Sequence, residues 1–537
     1  MTETSPKAPA LRRRGRAVAA LGAVFLLLAA CGSPNPVPAP TPAQGSPAPS
    51  ASSPSRGTPA SSPATPSAAA VPVVPAVAFR SGLTSVGRRD LIAALGGGGR
   101  WGSLELVAAD ADAILAALGV ERPTDAGRLV LAPDHGALAA DLRAHPDRLA
   151  FLRASDVGPS VRALAWEGRD LFGVDRVRSL ADWPLNAGLA ARAGQPAFDP
   201  SAVWTMWAGG DLGLDRSVAY AVKDLGKGVD YPYDGGTARI AGTSCCSSFG
   251  WPVPRIVRTG NAGAMRHLIS AADLAVANLE EPAPDAWTYH AHGTVFTGDP
   301  ALLAGIARAG IDVVSTATNH IGDGGRVGIL QTLAHLDAVG IRHAGSGANL
   351  VAARRPALVT VGGVRVAFLA YDAIPPASYF ATATTTGSAP LVASYVRSDI
   401  AAAHRAGADV IVVYPHWGTE YTRGPTSFQR SMAHLMIDAG ADLVIGNHPH
   451  WVQAVEVYKG RPIWYALGNL TFDQAWSEPT MEGISLELTF DGSRLVQVRM
   501  LPHVLVGAVQ PNLLDPAGDG RRVLDPVFEA SSKLLPW

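Results

Sequence analysis

From residue 202 onward the chain alternates short apolar runs with longer stretches of helical periodicity, and each apolar run stops at a polar cluster. Residues 203–208 run into Gly209-Gly210-Asp211, 274–277 into Asn278-Leu279-Glu280, and 313–317 into Asn319-His320. Residues 410–413 lead to His416, 443–445 to Gly446-Asn447-His448-Pro449-His450, and 463–467 to Gly468-Asn469. Runs of three to six apolar residues are strand-length, and the segments between them read as helices. Helices are predicted over 302–309, 329–338 and 428–439, each followed by a glycine, Gly310, Gly340 or Gly440, that can end a helix in the left-handed region. Residues 364–371, after Gly362-Gly363, read as the return strand of a hairpin. Strand and helix in alternation predict an α/β fold with much parallel sheet, in which ligands gather beyond the carboxyl ends of strands. Six polar clusters at six strand ends are therefore expected to face one site.

Earlier in the chain the pattern is weaker. Residues 76–200 predict a helix over 108–118, a short strand over 129–131 and another approached over 147–154, with no cluster that demands chemistry. They are read as a smaller α/β accessory domain ahead of the main domain, 201–537. The stretch 152–170 vaguely resembles part of a periplasmic solute-binding domain. Residues 32–75 are almost wholly Pro, Ala, Ser, Thr and Gly, which cannot bury enough apolar surface to offset the entropy of ordering, so a disordered tether is expected there. Residues 1–31 place Lys7, Arg12, Arg13, Arg14 and Arg16 ahead of an apolar run, 17–30. That is the layout of a signal peptide, and the run is too short for a spanning helix, which needs about 20 apolar residues. Leu28-Ala29-Ala30-Cys31 resembles a bacterial lipobox, which implies acylation of Cys31 and attachment to the outer face of the cell membrane.

Composition narrows the partners. Lys and Arg number 44 against 45 Asp and Glu, a net charge of −1 with no long run of either sign after the signal, which argues against nucleic acid as a partner. Beyond Cys31 the only cysteines are the adjacent Cys245 and Cys246, too few sulfurs for a cysteine-based zinc site and open to either a vicinal disulfide or free thiols.

Taken singly, each strand-end cluster has a plain explanation: Asp211 in a turn, Asn319 as a helix cap, a histidine packed in a core. The set carries more weight. Asp211, Glu280, Asn319, His320, His416, His448 and His450 are the residue types that bind Mn, Fe or Zn. In His448-Pro449-His450 both rings serve one site only if the chain turns between them, because alternate positions of an extended segment face opposite ways.

Six motifs then carry a family resemblance: Gly-Gly-Asp-Leu-Gly-Leu-Asp-Arg at 209–216, Ala-Asp-Leu-Ala-Val-Ala-Asn-Leu-Glu at 272–280, and Ala-Thr-Asn-His at 317–320 with Asp323. Pro-His-Trp-Gly-Thr-Glu at 415–420, Gly-Ala-Asp-Leu-Val-Ile-Gly-Asn-His-Pro-His at 440–450 and Tyr-Ala-Leu-Gly-Asn at 465–469 complete them. Residues 204–474 thus resemble the capsule-synthesis CapA family, whose domain is related to the calcineurin-like metallophosphoesterases. The resemblance implies a four-layer α/β/β/α sandwich and a divalent metal site of one or two ions. It implies Asp211, Glu280, Asn319, His416, His448 and His450 as ligands, His320 as proton donor, and Arg216 and Glu420 as substrate-positioning or supporting groups. True phosphoesterases place an Asp-x-His in the first motif, whereas position 213 here is glycine, so one ion would have fewer ligands unless Glu280 or Glu420 compensates.

Two classes of function follow. One is a part in making, exporting or anchoring an anionic surface polymer such as poly-γ-glutamate, with membrane-embedded synthase subunits as partners. The other is metal-dependent hydrolysis of phosphoesters or γ-glutamyl bonds. A solute-binding lipoprotein built on 76–200 is a third.

Overall fold

The computed structural model describes residues 69–192, 194, 197–374 and 376–534. The signal sequence, Cys31 and residues 32–68 of the expected tether lie outside the described residues. The end of that tether needs correcting: residues 69–75 belong to the strand Ala69–Ala78. Pro72 and Pro75 give the stretch a linker's composition, yet Val73, Val74, Ala76 and Val77 are at most 1% exposed, because sheet pairing and burial on both faces order an apolar run that composition alone discounts.

That strand belongs to a six-stranded sheet. In order across the sheet come Leu129–Ala132, Ser103–Val107, Arg148–Arg153, Ala69–Ala78 and Val161–Ala163, with Asn186–Leu189 also paired to Ala69–Ala78. The three strands at 103–107, 129–132 and 148–153 run parallel, and the first strand opposes them. Helices Ala111–Leu118 and His135–Ala144 supply Ile114, Leu118, Leu138 and Leu142 to its core. Residues 69–189 build this sheet, and Val203 and Val496 join its core, so the described residues form one compact unit.

The remainder is a four-layer α/β/β/α sandwich, the architecture expected. A ten-stranded sheet holds the parallel strands Val203–Leu212, Leu274–Leu279, Val313–Ser315 and Arg342–Ala344, and continues through the antiparallel Glu482–Asp491 and Arg494–Val506. A six-stranded sheet holds the parallel Val364–Asp372, Val410–His416, Leu443–Ile445 and Arg461–Trp464. Successive side chains on a strand face opposite ways, and here both faces are apolar. Met206, Ala208 and Val276 of one sheet meet Val366, Phe368 and Val412 of the other in a core between the sheets. Their sequence neighbours Trp207, Ala275 and Ala277 pack outward on helices Ala264–Ala271, Leu303–Ala309 and Gly325–Ala338. Ala367, Leu369 and Val413 do the same on Ala393–Arg405 and Ser427–Asp438.

Helix ends follow their local signals: Gly310 caps Leu303–Ala309 at φ 99°, and Thr426 with Gln429 forms a capping box on Ser427–Asp438. Gly362 and Gly363, both at positive φ, turn the hairpin between Ala357–Val361 and Val364–Asp372. Cys245 and Cys246 are joined as a vicinal disulfide between the strands Thr237–Ser244 and Val253–Gly260. Among the described residues no helix is long and apolar enough to cross a membrane.

Candidate metal centre

Both sheets of the sandwich send strand ends to one point. Asp211 closes the strand Val203–Leu212 in register with Asn278 on one side and Asn469 on the other. The glycine before it is required: a Cβ on Gly210 would lie 1.9 Å from the Gly468 carbonyl oxygen. From the second sheet, His416 ends its strand in register with Asp372 and bridges to Asn447. His448 and His450 follow at φ 97° and 55°, so the chain does turn around Pro449 and their ring centres lie 6.1 Å apart. Left-handed backbone at non-glycine residues costs of order 1 kcal/mol or more each and persists where packing dictates it. Here it brings both imidazoles to the same side.

Asn278 Nδ2 donates to Asp211 Oδ1 at 2.8 Å and to Glu280 Oε2 at 2.9 Å. Glu280 Oε1 lies 3.2 Å from His416 Nε2, which also meets Asn319 Oδ1 at 2.8 Å. The His448 backbone N–H donates to Asp211 Oδ2 at 3.3 Å, and His450 Nδ1 sits 2.9 Å from Asn469 Oδ1 and 3.5 Å from Asp211 Oδ2. Asp211, Asn278, Glu280, His416, Asn447, His448 and His450 are all at most 5% exposed. Yet Asn278 Oδ1, Asn447 Oδ1, His416 Nδ1 and His448 Nδ1 have no hydrogen-bond partner. Buried polar atoms are nearly always paired, and these four hold lone pairs that a bound cation would take up. Glu280, His416 and His448 each offer a ligand atom, all within 4.8 Å of one another. One carboxylate and two imidazoles with amide oxygens beside them fit a borderline divalent cation.

The electrostatics are uneven. Burial works against the Glu280 carboxylate, but His416 beside it outweighs that and holds it below its ordinary range. Burial likewise opposes a charge on His416, yet Glu280, Asp211 and Asp372 raise it to about 9. Burial, with Glu280 close by, pushes Asp211 up. His448 is driven well below its ordinary value by burial and by the charges of His416 and His450, leaving a neutral ring able to donate a lone pair.

A match to the model of the bacterial capsule synthesis protein PGA_cap family covers residues 205–474 and so contains this entire cluster. The chain belongs to that family. It is 32% identical over 236 residues to a capsule biosynthesis protein CapA of Bacillus anthracis, covering 43% of this chain and 57% of that one. It is 36% identical over 166 residues to a PGA biosynthesis protein CapA of Bacillus subtilis (strain 168), covering 31% of this chain and 43% of the relative. A probable polyglutamine synthesis accessory protein of Mycobacterium tuberculosis (strain ATCC 25618 / H37Rv) is 36% identical over 172 residues, 30% of this chain and 45% of the other. The chain spans about half the length of these curated relatives. Among solved structures, the NAD nucleotidase of Haemophilus influenzae aligns with 13% identity and a TM-score of 0.33, over 62% of this chain and 56% of the other. An ABC-type phosphate transport receptor from Vibrio cholerae aligns with 13% identity and a TM-score of 0.20, over 22% and 56%. Likeness at that level adds nothing to the architecture described above.

Within the family domain, the three residues expected to serve substrate lie along a cleft of about 610 Å³ that also reaches His450. His320 Nδ1 pairs with Asp323 Oδ2 at 2.8 Å, and Asp323 in turn accepts from the Phe296 backbone N–H and the Tyr379 hydroxyl. Arg216 lies 4.4 Å over the Phe296 ring and donates to the Gly293 carbonyl. Glu420 is exposed on the cleft wall, and its carboxylate joins no metal-competent group among the described residues. At position 213 a Cβ would sit 2.9 Å from Phe472 Cδ2, so the phenylalanine stands where a histidine side chain would start.

Sequence reasoning passed over Asp372, fully buried at the end of its strand, accepting from Ser388 Oγ at 3.0 Å and the Ile374 N–H at 2.8 Å. Burial raises its carboxyl to about 6. Its signal is an apolar run ending in an acid, the pattern of Asp211 and Glu280. Asn278, Asn447 and Asn469 stood in the quoted motifs, but an amide at a strand end reads as a turn residue until its partners are seen.

Proposed function

We propose that this chain is an accessory protein in the synthesis, export or anchoring of an anionic surface polymer such as poly-γ-glutamate, working at the outer face of the cell membrane. The match to the capsule-synthesis family over residues 205–474 carries this reading, and the buried Glu280, His416 and His448 near the cleft support a metal within that domain. Asp211, Glu280, Asn319, His416, His448 and His450 hold the metal, which is Mn, Fe or Zn. Such an ion would supply Lewis acidity and acidify water toward neutral pH. Arg216 binds an anionic group in the cleft, and His320, oriented by Asp323, holds a proton at Nε2 for a leaving group. Lipid on Cys31 keeps the domain at the membrane beside membrane-embedded synthase subunits.

A second reading, metal-dependent hydrolysis of phosphoesters or γ-glutamyl bonds, is favoured by the His320–Asp323 pair facing the same cleft. The full chain, metal-loaded, is assayed on bis-p-nitrophenyl phosphate and on poly-γ-glutamate beside Asp211→Asn and His320→Asn. Turnover that both variants lose establishes the hydrolase. A metal-loaded chain that cuts neither substrate supports the assembly role. Loss of surface polymer in cells carrying Cys31→Ala supports anchoring, and unchanged polymer contradicts it.

A further inference from the structure

A second cleft, of about 760 Å³, lies between the end of the strand Ala69–Ala78 and the start of the helix Arg521–Ser531. It shares no lining residue with the cleft of the metal centre. Four arginines line it, Arg80, Arg100, Arg143 and Arg521, and no aspartate or glutamate does. In a chain of net charge −1 this is a local concentration of one sign, and clefts lined by one sign focus the field toward a counter-charge.

The arginines are little occupied by acids. In this cleft Arg521 pairs with Asp525, and among the described residues no carboxylate pairs with Arg80, Arg100 or Arg143. Arg80 lies 5.3 Å over the Phe528 ring and Arg100 5.7 Å over the Trp101 ring. Such contacts with a ring use none of the N–H donors in hydrogen bonds, and a guanidinium fork suits a bidentate oxyanion. Like charges are crowded enough that burial and the neighbouring Arg143 lower the Arg80 guanidinium from its ordinary value. Such crowding persists at a cost that a bound anion would relieve.

We infer that this cleft binds a chain bearing repeated carboxylate groups, each carboxylate forking onto a guanidinium. A small single anion would need one or two of the arginines. Three without a carboxylate partner, Arg80, Arg100 and Arg143, contributed by three separate segments along the cleft with Arg521 beside them, suit a ligand with several charges, whose successive contacts reinforce one another. The inference rests on the anionic-polymer part of the proposed function and is independent of the metal centre.

The test is titration of the full chain with a labelled γ-glutamate oligomer of about ten units, beside the double variant Arg100→Gln/Arg143→Gln and its Arg→Lys counterpart. Both side chains are exposed, so the fold and the bound metal are expected to be unchanged. The expected result is saturable binding that weakens with added salt and falls about tenfold or more in the Gln variant, with partial recovery in the Lys variant. Chelator-treated protein is expected to bind the oligomer equally well. Undiminished binding by the Gln variant overturns the inference, as does loss of binding on chelation, which would move the site to the metal centre. Tighter binding of an inorganic polyphosphate of equal length overturns the carboxylate assignment.

Discussion

Two buried polar clusters in this chain differ in the groups that answer their acids and in how they close. In the N-terminal sheet, Asp110 receives Arg153 through both oxygens, at 2.7 and 2.8 Å, and Arg192 at 3.0 Å, while Arg192 also reaches Asp156 at 2.7 Å. Each acid there meets a guanidinium. In the sandwich, Asp211 and Glu280 meet imidazoles and amides, and four donor atoms are left over. A closed network of this kind holds a fold together. An open one, built of carboxylate, imidazole and amide, keeps ligand atoms that no internal partner takes.

The largest effect expected from this contrast is in the closed cluster. Asp110→Ala leaves Arg153 buried without its partner and is expected to lower unfolding free energy by about 3–5 kcal/mol in denaturant titration, without changing metal content. A loss under about 1 kcal/mol would erase the distinction. Next comes the open cluster: metal at about 100 times its dissociation constant is expected to stabilise the wild type by about 2.7 kcal/mol, and Asp211→Asn to abolish that gain.

The pH response separates the clusters further. With His416 raised to about 9 in the fold against an ordinary 6.5, the native state holds an extra proton between those values. The stability it contributes is full below about 6.5 and is lost as pH rises toward 9. The metal-free chain is therefore expected to lose stability across that window, and Glu280→Gln to flatten the slope. An equal slope in both would show that Glu280 does not hold that proton. Metal uptake competes with the same proton and is expected to strengthen as pH rises through the window. The smallest effect concerns the cleft wall. Glu420→Gln is expected to leave metal content and stability unchanged and to alter only KM for an anionic substrate.

The sandwich and most of its site were legible because each strand announces its own end, an apolar run broken by Asp, Glu, Asn or His. What stayed hidden depends on distance in sequence. Asp110 and Arg153 are 43 residues apart with no local mark on either. The part Phe472 plays at Gly213 follows from packing across 259 positions and from nothing near either residue. The strand at 69–78 was masked by its prolines. Asp372 ends a run that its Gly362-Gly363 turn marks as the return arm of a hairpin, which hides the acid's place beside the site.

Metal analysis of the purified full chain decides whether the open cluster is a metal site. After reconstitution with Mn, Fe or Zn and removal of excess, at least one ion per chain is expected, falling to near zero in His416→Ala and staying unchanged in Asp110→Ala. A wild type that retains no transition metal after reconstitution would contradict the account.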